Sequence, residues 1–98
     1  MVVYDKAKWQ IEGGIPVQNV VNHFSFIFEW LEKNDLLNEY GKQTHKIGLD
    51  EFLILCDEMV TEEGKHFLDK CYDEYIGKVE YGENENSEEL DKMFNAFK

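Results

Sequence analysis

Apolar positions recur at helical spacing most clearly over residues 17–33. Val20, Val21, Phe24, Ile27, Phe28 and Leu31 fall on one face, and Asn22, Ser25, Glu29, Glu32 and Lys33 on the other. Pro16 suits the first turn of such a helix, where its missing N–H would be unpaired in any case. Phe26 and Trp30, four positions apart, lie outside this stripe beside His23, so the apolar arc is wider than a surface helix needs. Either this is the central helix, packed on two sides, or Phe26 and Trp30 face a partner. Centrality is favoured, because a small bundle needs one helix that its neighbours surround.

The pattern elsewhere is weaker. In residues 1–15, Tyr4, Trp9 and Ile11 fit no helical stripe and Gly13-Gly14 stops any regular element. This predicts an extended arm, with room for a short strand, pinned to the core by Tyr4 and Trp9. Leu36-Leu37 can pack back on the helix they follow, and the polar stretch 41–48 reads as a loop. A second helix is expected from Leu49 or Asp50 to about Glu58, with Phe52, Leu53, Leu55, Cys56 and Met59 apolar. Thr61 is a good N-cap, and Glu62 and Glu63 suit the positive end of the helix dipole. That third helix should reach about Ile76, burying Phe67, Leu68, Cys71, Tyr72 and Tyr75. After a charged linker at 83–86, Ser87 followed by Glu88 and Glu89 marks a last short helix with Leu90, Met93, Phe94 and Phe97 as its stripe. The expected fold is mostly α: a small bundle of about four helices with an extended N-terminal arm. One domain over 1–98 is expected, with arm 1–15, helical body 16–81 and terminal helix 87–98.

Charge changes the picture by half. Residues 1–49 carry 5 Lys against 6 Asp/Glu, whereas residues 50–98 carry 5 Lys against 15. There is no Arg, and the net charge is −11. Phosphate backbones are gripped by clustered Lys and Arg, so neither nucleic acid nor an anionic membrane is expected as partner. An acidic surface could attract a basic partner, or serve solubility alone. The two cysteines, Cys56 and Cys71, sit in apolar patterns and read as buried thiols. With no leader and no apolar run near 20 residues, a cytoplasmic location is expected.

Candidate chemistry is sparse. Glu63 and His66 have the Glu-x-x-His spacing of a metal-ligand pair, but a di-iron bundle needs two such motifs and this chain has one. Glu62, His66, Asp69 and Asp73 recur at i, i+4, i+7 and i+11, on a face away from Phe67, Cys71 and Tyr75. Such a stripe suits a divalent ion, the lysines of a partner, or simply water. Zinc would need close Cys or His pairs, and none occurs. His23 at the rim of the apolar helix reads as a satisfied interior imidazole, and His45 lies in the expected loop without a partner. No nucleophile, base and oxyanion donor assemble, which points away from an enzyme, and no cofactor is expected.

One resemblance adds to this. Tyr4-Asp5-Lys6-Ala7-Lys8-Trp9, then Gly13-Gly14-Ile15-Pro16 and His23-Phe24, resembles a small, poorly characterised bacterial family. Its members open with Tyr-Asp-x-Ala-x-Trp, often followed by His, and carry a glycine, an apolar residue and proline before an aromatic helix. The stretch 61–67, with Tyr72 and Tyr75, is similar to that family's helical half, so the likeness covers about residues 3–81. This chain departs from the pattern with Gln10 in place of His. Some members look like immunity proteins, so the resemblance implies a bacterial, cytoplasmic binding protein, with neutralisation of a toxin as its finer form.

The expected function is thus a non-enzymatic, acidic protein-binding domain. Its partner would be basic and would meet Glu62, Asp69 and Asp73, with Phe26 and Trp30 as apolar anchors. The alternatives are a small metal-binding domain or enzyme on the His66/carboxylate face, or a self-associating protein with Phe26 and Trp30 in a homodimer seam.

Overall fold

The computed structural model describes residues 2–47 and 53–98, with side chains for 2–44 and 53–98. Its elements are β1 (Val3–Lys6), α1 (Ala7–Glu12), α2 (Val17–Lys33), α3 (Glu39–Ile47), β2 (Ile54–Cys56), a 3-10 turn (Asp57–Met59), α4 (Glu62–Ile76) and α5 (Ser87–Phe97). The mostly helical expectation holds, with five α-helices among the described residues instead of about four. No helix of the described residues is long and apolar enough to cross a membrane.

α2 is the central helix. Val20, Phe24, Ile27, Phe28 and Leu31 are buried on its stripe, and His23 and Trp30 are buried beside them. α4 begins at Thr61, whose hydroxyl accepts the Gly64 N–H at 3.1 Å, and buries Phe67, Leu68, Cys71, Tyr72 and Tyr75. α5 docks on this body through an aromatic cluster. Trp30 stacks on Phe67 with centroids 5.2 Å apart, and Phe94 meets both edge-on. A helix of eleven residues is marginal alone, so this contact is what holds it. Its cap is Asn86, which accepts the Glu89 N–H, rather than Ser87.

Three sequence expectations are corrected. The N-terminal stretch holds the short strand allowed for it, β1, but this runs directly into helix α1 where only extended chain was expected. β1 pairs antiparallel with β2 in the register Val3 with Cys56 and Asp5 with Leu55, so the apolar run near 54–56 is a strand and not the end of a helix. A short apolar run has no period long enough to tell the two apart, and the backbone partner supplied by β1 decides. The earlier part of that expected helix, including Phe52, lies outside the described residues. The polar stretch after Asn38 is helical, because Asn38 Oδ1 accepts the Gly41 N–H at 2.8 Å and Gly41 lets α3 approach the Met59 carbonyl.

Candidate functional site: an acidic helix face beside a buried polar network

β1 carries a bulge between Val3 and Asp5, so Tyr4 has no direct partner on β2. In a regular strand Tyr4 and Asp5 would point to opposite faces; with the bulge both reach α4. Tyr4 Oη donates to Asp69 Oδ1 at 2.6 Å, and Tyr72 Oη donates to Asp5 Oδ2 at 2.6 Å.

Asp5 is 1% exposed and accepts four hydrogen bonds. The Lys6 N–H and Gln10 Nε2 donate to Oδ1, each at 2.9 Å, and the Tyr72 and Tyr81 hydroxyls donate to Oδ2. All four acceptor positions of a carboxylate are thereby filled, which is what makes its burial tolerable. Gln10 is thus a direct partner of Asp5.

The network continues to His23, which is fully buried. Its Nε2 lies 2.9 Å from Tyr72 Oη and its Nδ1 lies 2.7 Å from Glu85 Oε2. Glu85 also accepts from Tyr75 Oη at 2.7 Å and from the Gly82 N–H at 3.0 Å. Tyr81 stacks on the His23 ring at 3.9 Å. Glu85, His23, Tyr72 and Asp5 thus form one row of polar contacts through the core. Burial raises the Glu85 carboxyl, but the hydrogen bonds from His23, Gly82 and Tyr75 outweigh it and hold Glu85 below the usual carboxylate range. Burial is also the first cause of the upward push on the Tyr72 and Tyr81 hydroxyls, with Asp5 next. Among the described residues no buried side-chain polar atom lacks a partner.

The residues singled out from the sequence lie mostly outside this network. Glu62, Asp69 and Asp73 are exposed on the outward side of α4. Glu62 lies 3.9 Å from His66. Asp69 is already engaged by Tyr4 and, at 3.1 Å, by Lys65; first the Tyr4 hydroxyl and then Lys65 keep its carboxyl below the ordinary range. Trp30 is not an exposed anchor. It is 5% exposed, wedged between Phe67 and Phe94, with its indole N–H donating to Asp91 at 2.9 Å. Phe26 is half-buried against the core. Trp9, expected as a pin, is instead 52% exposed with Lys6 over its ring. Among the described residues, no group of three or more His, Cys, Asp or Glu is placed to hold a metal.

Sequence reasoning missed Asp5, Tyr81 and Glu85. One signal was present: Tyr72 and Tyr75 on a buried stripe bring hydroxyls into the core, and those require acceptors. Nothing in the pattern says which carboxylates answer. Comparison with protein-family profiles, curated proteins and solved structures finds no match to this chain.

Proposed function

We propose that this chain is a non-enzymatic binding domain whose outward α4 face docks a basic protein partner. One observation carries the reading: the buried titratable groups are satisfied by one another, while Glu62, Glu63 and Asp73 stand in solvent on one helix. A reacting group must reach a substrate, and His23, the imidazole with a carboxylate partner at 2.7 Å, is fully buried. What the outward side of α4 presents to solvent is mainly charge, and an acidic surface accelerates and selects encounters with basic ones. Asp69 contributes through its negative field while anchoring Tyr4.

An immunity-type role in the bacterial cytoplasm, occluding the basic surface of a toxin, is the finer form of this proposal. It rests on the N-terminal resemblance; two free, buried cysteines are compatible with a reducing compartment. The test is affinity for a partner recovered from the host cell, measured from about 0.05 to about 0.5 M salt. Affinity should fall steeply with salt, and Glu62→Lys with Asp73→Lys should weaken it by at least about tenfold. Salt-independent binding, or full affinity in the charge-reversed variant, discards the proposal.

A further inference from the structure

The charge balance of residues 50–98, fifteen carboxylates against five lysines, is inverted in one place. α4 and α5 flank a groove of about 630 Å³, within the range of small-molecule sites. Three of those five lysines, Lys70, Lys78 and Lys92, line it, with Glu74 as the sole carboxylate of the lining. Lys78 is cancelled by Glu89 at 2.7 Å. Among the described residues Lys70 and Lys92 have no ion-pair partner. With Glu74 and Glu89 set against the three lysines, one positive charge is left over. The apolar part of the lining is Cys71, Met93, Ala96 and Phe97.

We propose that this groove binds a small monoanionic amphiphile, an apolar chain or ring bearing a single carboxylate. The apolar body would cover Met93, an adaptable side chain that moulds to irregular ligands, and the Phe97 ring. The carboxylate would sit between Lys70 and Lys92. Charge selects this class: a single anion matches the surplus in the groove, whereas a polyanion or an anionic bilayer meets the repulsion of a molecule carrying −11. A second copy of the chain is disfavoured for the same reason. Lys70 and Glu74 stand four residues apart on a line of α4 distinct from that of Glu62, Asp69 and Asp73, and Lys78 follows just past the end of the helix. The site therefore stands independently of the protein-docking face.

The test is a methyl NMR titration of the full chain with sodium decanoate, decanol and decyltrimethylammonium, each below its aggregation concentration. Decanoate should shift the Met93 and Ala96 methyls saturably, and more tightly than decanol, with the cation leaving both unmoved. Lys70→Glu with Lys92→Glu, both at exposed positions, should weaken decanoate by about tenfold or more while the other methyl resonances stay in place. Equal binding of decanol or of the cation, undiminished binding to the double variant, or no saturable shift would each overturn the proposal.

Discussion

Glu85 belongs to a charged, turn-forming stretch, yet it reaches inward to His23 and Tyr75, so its ionisation is coupled to folding. Its folded carboxyl lies below the unfolded range. Its contribution is therefore complete above the ordinary glutamate range and is lost as pH falls through the lower folded value. Thermal unfolding should show Tm falling below about pH 4. Glu85→Gln should have a lower Tm at neutral pH and a shallower loss between about pH 5 and about pH 3. Parallel curves for the two proteins would show that Glu85 takes no part in the acid transition. Of this network only Tyr72, Tyr75 and His23 were legible in the sequence as interior residues. A carboxylate's burial depends on donors brought from β1, α1, α4 and the 77–86 loop, and no local pattern records them.

At the scale of elements, the loop after α4 is held by one glycine. Gly82 has φ +70°, and a Cβ there would strike the α2 backbone at Asn19. This close approach sets Tyr81 on His23 and turns Glu85 towards the same ring. Gly82→Ala adds left-handed strain to the clash and should cost about 2 kcal/mol or more in denaturant unfolding. Gly77→Ala is the matched control. Gly77 has φ −72° and its Cβ would meet only ordinary contacts, so that change should be within about 0.5 kcal/mol of neutral. Equal effects would show that the loop repacks freely. α2 and α4 were readable because seventeen and fifteen residues give several turns of one stripe. β2, with three residues, was not.

Across the whole molecule, self-repulsion competes with few ion pairs. The exposed pairs, such as Lys65 with Asp69, are weakened by salt, but surface pairs contribute little. Screening a net charge of −11 is the larger effect. Tm should therefore rise as salt increases from about 0.02 to about 0.5 M. A fall over that range would mean that the pairs outweigh the repulsion.

Periodicity and capping chemistry by themselves determined the two long helices, the interior place of His23 and the Thr61 start of α4, because those are set within a few turns of chain. Tertiary structure alone decided the pairing of β1 with β2, the burial of Trp30 under α5, and the linkage of Asp5 to Glu85 through Tyr72 and His23. Their contacts join residues about fifty to seventy positions apart, and a hydrogen bond or packed ring formed at that separation leaves no mark on local spacing.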